Sequence, residues 1–281
     1  MLTKPVIDPR NWARDRFTSV LANLAALARP VTLPGIWTGF SGFESDRIKL
    51  FAQPIYPIDS EFQQPEWFEI LIRLVAGSGS THSPSYFIPL AERHGQIGMV
   101  DSWVIAQTLE TVPSSDVARQ LKFSINMSGA SLQSEQLRNL VLKQVSTLSI
   151  DRANICFEIT ETSAIHNLPD ATRFIERVRA EGCQFALDDF GSGLSSFTYL
   201  KHLPVDYIKM DGSFVQNLEN EPNNLVFIRS ICTVASELGL KTVAECVESL
   251  SIVDSLASSG IDFIQGYSPG RPQPLEFYVG K

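Results

Sequence analysis

The sequence predicts a closed β/α barrel of eight strands, and three observations carry that prediction. Eight short apolar runs alternate with helix-length stretches over about 235 residues. Seven of the eight runs carry a polar or charged residue at or near their carboxyl end. No G-x-G-x-x-G opens a helix, which argues against the doubly wound open sheet, the alternative architecture for such an alternation.

Taken in order, residues 1–46 stand apart. Phe17, Val20, Leu21, Leu24 and Leu27 follow the i, i+3, i+4, i+7 rule of an amphipathic helix, and the Pro- and Gly-punctuated stretch 28–46 follows as a linker. A short helical extension over 1–46 and a barrel over 47–281 are therefore expected. The strand candidates are 48–55 (IKLFAQPI), 67–74 (WFEILIRL), 122–128 (KFSINMS), 155–160 (ICFEIT), 183–190 (CQFALDDF), 205–211 (VDYIKMD), 241–247 (KTVAECV) and 262–267 (DFIQGY). Helix candidates lie between them at 86–95, 102–112, 134–148, 170–182 and 224–239.

The polar strand-end residues are Glu69, Asn126, Glu158, Asp188, Lys209, Glu245 and Gln265. Strand side chains alternate, so in the last six runs each shares a face with the second residue before it: Ser124, Cys156, Ala186, Tyr207, Val243 and Phe263. The intervening Ile125, Phe157, Leu187, Ile208, Ala244 and Ile264 are apolar, as positions facing an outer layer of helices should be. The polar set then points inward at one mouth of the barrel, the end where such folds build their sites. Carboxylates gathered there, with Asp189 beside Asp188, repel unless cations bind. Carboxylates and a carboxamide are hard oxygen donors, suited to Mg2+ or Mn2+ rather than zinc.

Composition agrees. Lys plus Arg is 23 against 31 Asp plus Glu, a formal charge of -8, so the chain lacks the basic footprint of a duplex-DNA binder. No apolar stretch is long enough to span a membrane and no signal-peptide core opens the chain, so a cytoplasmic location is expected. Cys156, Cys183, Cys232 and Cys246 form no C-x-x-C pair and read as small core residues; His82, His94, His166 and His202 show no metal-binding spacing.

The motifs FAQPI, FEILIR, FIPLAE, INMS, FEITETS, LDDFGSGLSSFTYL, YIKMD, VAECVE and QGY resemble, in order and spacing, those of the EAL-domain cyclic di-GMP phosphodiesterases, over about 48–274. The resemblance implies an EAL-type TIM-like barrel, with room for an antiparallel first strand. It also implies two Mg2+ or Mn2+ ions, with Ca2+ binding without supporting turnover, and hydrolysis of cyclic di-GMP to linear pGpG. Glu69, Asn126, Glu158 and Asp188 would hold one metal, and Asp188, Asp189 and Glu245 the other. Lys209 would orient the attacking water, with Glu245 as its catalytic neighbour. Gln265, Arg73 and Gln53 would contact substrate, although Gln53 equally suits closing the barrel. Glu161 and Glu248 would support loops.

The resemblance further implies a homodimer through the loop and helix after the fifth of these strands, and an upstream sensor module outside this chain. A weakly catalytic nucleotide receptor and a protein-interaction domain are the alternatives. Retention of the metal ligands and of DDFG favours the enzyme. Two departures stand out: Cys246 replaces the family's glycine beside Glu245, and the stretch after Arg73 is rich in Gly and Ser.

Overall fold

A computed structural model describes residues 48–60, 62, 65–75, 81–112, 116–192, 197–216, 218, 221 and 223–280. The expected extension over 1–46 lies outside the described residues. Among the described residues ten strands form one sheet: β1 (Ile48–Pro57), β2 (Trp67–Val75), β3 (Thr81–His82), β4 (Lys122–Met127), β5 (Ile155–Thr160), β6 (Gln184–Phe190), β7 (Tyr207–Met210), β8 (Lys241–Ala244), β9 (Phe263–Gln265) and β10 (Gln273–Pro274). Eight of them close a barrel in the order β1-β9-β8-β7-β6-β5-β4-β2, sealed by a β1–β2 pairing. From β2 round to β9 neighbours are parallel, while β1 runs antiparallel to β9 through Ile55↔Gln265 and Tyr56↔Ile264. All eight expected strands are present, and the antiparallel first strand with them.

By compactness the chain divides into two units. Residues 50–72 and 84–281 form the larger; residues 1–49 and 73–83 form the smaller, in which Leu74↔His82 and Val75↔Thr81 pair antiparallel.

The helices are α1 (Pro84–Arg93), α2 (Ile97–Thr111), α3 (Gly129–Gln133), α4 (Glu135–Ser146), α5 (Glu161–His166), α6 (Leu168–Ala180), α7 (Asn224–Glu237), α8 (Val253–Ser258) and α9 (Leu275–Val279). Helix α6 shows why they form. Ala171, Phe174, Ile175 and Val178 recur at helical spacing and are buried, the Asn167 side chain caps the start by accepting from Asp170 N–H, and Arg177 and Arg179 occupy the last turn. The outward strand residues Ile125, Phe157, Leu187, Ile208, Ala244 and Ile264 are fully buried. Each large one contributes roughly 1.5–3 kcal/mol relative to exposure.

Inside, the amino end of the barrel is plugged. Ile55, Trp67 and Val243 form a buried cluster with Tyr207 and Phe263 against it. Trp67 Nε1 donates to Ser124 Oγ at 2.8 Å. The Lys122 ammonium lies 4.3 Å from the Trp67 ring centre and 3.9 Å from that of Tyr207, and donates to the Tyr207 hydroxyl at 2.5 Å. That plug fills the barrel interior at its amino end.

Candidate metal centre at the carboxyl end of the barrel

Strand register brings the polar residues together. Glu69 pairs with Ser124, Asn126 with Glu158, Thr160 with Asp188, and Lys209 with Val243. Lys209 stands at the centre, fully buried. Its Nζ is 2.6 Å from Glu158 Oε2, 2.7 Å from Glu245 Oε1, and 3.5 Å from both Glu69 Oε2 and Asp188 Oδ1. Glu69 also accepts from Asn126 Nδ2 and from Gln265 Nε2, both at 2.6 Å. All seven expected strand-end groups thus meet, four carboxylates around Lys209 and the two carboxamides on Glu69.

One ammonium faces four carboxylates, and the balance shows in their protonation. Burial pulls Lys209 down, but Asp188, Glu158, Glu245 and Glu69 outweigh it and hold the ammonium well above the usual lysine range. Burial raises the carboxyls of Glu158, Asp188 and Glu245; Lys209 offsets this in part, and the neighbouring carboxylates add to it. Glu158 Oε1, Asp188 Oδ1 and Gln265 Oε1 are buried with no hydrogen-bond partner among the described residues. Buried oxygens are normally hydrogen-bonded, so three that are not, with Asp188 Oδ1 holding only the 3.5 Å ion pair to Lys209, suit a ligand that accepts lone pairs. Hard divalent cations fit that donor set.

Asp189 joins the cluster by a local irregularity. Adjacent strand residues point to opposite faces, yet one oxygen from each of Asp188, Asp189 and Glu245 lies within 4.8 Å of the others. The β6–β7 register shifts between Leu187 and Phe190, and Asp189 takes the left-handed conformation at φ 54. A residue without glycine's freedom in that region is strained, and such strain concentrates at functional sites. Gly191 follows at φ 93, and a Cβ there would stand 2.4 Å from the Phe214 ring. Glu161 fastens the turn: Gly191 N–H donates to its Oε2 at 3.0 Å, and the Tyr199 hydroxyl donates to its Oε1. Glu161 thus bonds both the Gly191 backbone and the Tyr199 hydroxyl.

The other expected residues divide. Gln53 is buried and donates to Gly270 O at 3.0 Å, so it ties the barrel while also lining the mouth. A cavity of about 340 Å3 is lined there by Gln53, Glu69, Glu245, Cys246, Glu248 and Gln265, with Gln216, Gly266 and Tyr267. Glu248 is exposed on its wall. Arg73 is half-buried on β2, within the smaller unit.

Cys246 is not a core residue. It is exposed, lines the cavity and adopts φ 55, the conformation that favours glycine. Its side chain is accommodated because Gly212 has none: a Cβ on Gly212 would lie 2.5 Å from Cys246 Sγ. The other three cysteines are buried, as expected.

Sequence reasoning missed Asp211 and Tyr199. Asp211 lies two residues after Lys209 and is, after burial, the next cause of the raised Asp189 carboxyl. Period-two counting along YIKMD could have found it. Tyr199 had no such signal, because its contact with Glu161 is set by a loop.

A family model described as the EAL domain matches residues 40–272. The chain belongs to the EAL domain family. Among curated EAL relatives, "Cyclic di-GMP phosphodiesterase PdeB" of Shewanella oneidensis is 39% identical over 84% of this chain and 28% of its own length. "Cyclic di-GMP phosphodiesterase PdeF" of Escherichia coli is 33% identical over 83% of this chain and 31% of its own length. The chain therefore spans less than a third of these two relatives. Among solved structures, the complex titled "PaMucR Phosphodiesterase, c-di-GMP complex" superposes with a TM-score of 0.76 at 26% identity, covering 83% of this chain and 95% of that one. The FimX EAL domain from Pseudomonas aeruginosa bound to c-di-GMP gives 0.74 at 28% identity, covering 84% and 94%.

Proposed function

We propose that this EAL domain hydrolyses cyclic di-GMP to linear pGpG. The observation that carries the reading is the carboxyl-end mouth, where four carboxylates share one buried lysine and two buried carboxylate oxygens lack hydrogen bonds among the described residues. The names of the EAL relatives supply the substrate.

Glu69, Asn126, Glu158 and Asp188 would hold one Mg2+ or Mn2+, and Asp188, Asp189 and Glu245 a second; Ca2+ would bind without supporting turnover. When bound, the pair supplies a more acidic water and offsets charge on the leaving 3′ oxygen. The chain's own residues do the rest. Lys209, held between Glu158 and Glu245, presents N–H donors to the attacking water and keeps it in line with phosphorus. Glu245 fixes that ammonium as well as serving as a ligand. Gln265 and Gln53 line the cavity and would orient the substrate; a bidentate phosphate contact from Arg73 rests on the family resemblance alone. Glu161 keeps Asp189 in its left-handed turn, and Glu248 shapes the cavity wall.

A homodimer would form through the loop after β6 and the helical turn Tyr199–His202 that follows it. Support comes from Phe197, which exposes 40% of its surface, whereas Tyr199 and Leu200 of the same segment are buried. No helix among the described residues is long and apolar enough to cross a membrane, and a cytoplasmic location suits an intracellular nucleotide. The deciding experiment incubates the protein with cyclic di-GMP and Mg2+ or Mn2+ and separates the products by chromatography. Stoichiometric pGpG supports the reading; intact nucleotide at saturating metal overturns it.

A further inference from the structure

Helix α2 carries an aspartate that the proposed chemistry does not use. Asp101 is 7% exposed and lies among Ser102, Ile105, Ser131 and Leu137, none of which lines the carboxyl-end cavity. Its Oδ2 accepts two hydrogen bonds, from Ser128 N–H at 2.8 Å and from Ser131 Oγ at 2.6 Å. Ser128 is the second residue after Asn126 and caps α3, its own hydroxyl accepting from Ser131 N–H. The segment leaving β4 is therefore fastened to Asp101 immediately beyond Asn126.

The placement bears on Asn126. Only the oxygen of a carboxamide ligates a hard cation, and Asn126 commits its Nδ2 to Glu69. That orientation needs the end of β4 at a fixed height in the barrel. The strand pairs with β5 up to Met127↔Ile159, and the next residue is Ser128, where the Asp101 bond takes over. The same region packs closely on the element after β5, since a Cβ on Gly129 would stand 2.8 Å from Ser163 Oγ. A shift at Ser128 would thus be transmitted to Asn126 and then to Glu69.

We infer that Asp101 is a positioning residue for the metal centre, acting through Ser128 to hold the Asn126 carboxamide toward the site. The inference rests on the proposed metal reading. It adds a residue from outside the barrel strands, and it assigns the α2–β4 contact a part in metal affinity.

The test measures Mn2+ binding calorimetrically alongside thermal stability in wild type, Asp101→Asn, Ser131→Ala and Asp262→Asn. Outer partners of metal ligands typically change affinity about 10–100-fold. Asp101→Asn is expected to weaken Mn2+ binding about tenfold, and Ser131→Ala less, because the Ser128 bond remains. Asp262 makes the same kind of bonds, accepting from Thr242 N–H at 2.8 Å and Thr242 Oγ1 at 3.0 Å, but just before β9 at the opposite end. Asp262→Asn is expected to lower stability with Mn2+ affinity unchanged. Asp101→Asn matching wild type in Mn2+ affinity, or losing affinity no more than Asp262→Asn for the same loss of stability, overturns the inference. Absence of Mn2+ binding by folded wild type would instead overturn the metal reading beneath it. Asp101→Glu serves as a second variant should Asp101→Asn not fold, with weakened Mn2+ binding again expected.

Discussion

The two mouths of the barrel use the same residue types and treat them in opposite ways. At the amino end, Asp206 accepts from Phe185 N–H at 2.9 Å and from Arg179 Nη2 at 2.8 Å. Asp262 accepts from Thr242 and from Lys241 Nζ at 2.7 Å. Each carboxylate has its own cation and its own backbone donor, and Lys122 is shielded by two aromatic rings. At the carboxyl end, one ammonium serves four carboxylates, buried oxygens go without partners, and Asp189 and Cys246 sit in left-handed backbone. The difference separates charge used to hold a structure from charge held ready for a ligand. The first kind is satisfied within the chain; the second, on the proposed metal reading, would be completed by bound cations.

The comparison breaks most visibly at the ligands themselves. Glu69→Ala or Asp188→Ala is expected to reduce Mg2+-dependent turnover to background, read by pGpG release. Retained activity in either would mean that this mouth is not the reacting centre. Lys209→Met comes next. Removing one partner of a buried ion pair costs about 3–5 kcal/mol, so the metal-free protein should unfold at lower denaturant, and Mn2+ should recover part of the loss. A surface lysine would show neither effect.

Protonation sharpens the contrast at smaller amplitude. Burial raises the Glu158 carboxyl from an ordinary 4.5 to about 8. A carboxyl raised on folding stabilises the fold fully below its unfolded value, and that contribution is lost as pH rises through the folded value. Metal-free protein should therefore lose stability between about pH 4.5 and 8, while saturating Mn2+ should flatten or reverse the trend. Thermal melts across that range check the sign. The smallest effect is expected at Cys246→Gly. Relief of left-handed strain, about 1–2 kcal/mol, is offset by roughly 0.5–1 kcal/mol of backbone entropy. Stability should rise by no more than about 1.5 kcal/mol, measurable by urea unfolding.

Much of this contrast could be read from sequence. The barrel followed from eight apolar runs, and period-two counting placed Glu69, Asn126, Glu158, Asp188, Lys209, Glu245 and Gln265 on one side because those strands are regular. The counting failed where the backbone departs from a regular strand. Asp189 reaches the cluster only through the shifted register and positive φ after Leu187. Cys246 looked like a core cysteine, and its φ of 55 with its seat on Gly212 is a property of the loop. Asp101 and Tyr199 were invisible for another reason: their partners, Ser128 and Glu161, are brought to them by helix and loop packing, which no spacing within one element encodes.

The central claim is that the carboxyl-end mouth is built for cations that the amino end does not need. A calorimetric titration of the protein with Mn2+ tests it most directly. Two equivalents bound per chain, lost in part or whole in Asp188→Ala and retained in Asp262→Asn, is the predicted result. Equal binding in wild type and Asp188→Ala would contradict the account.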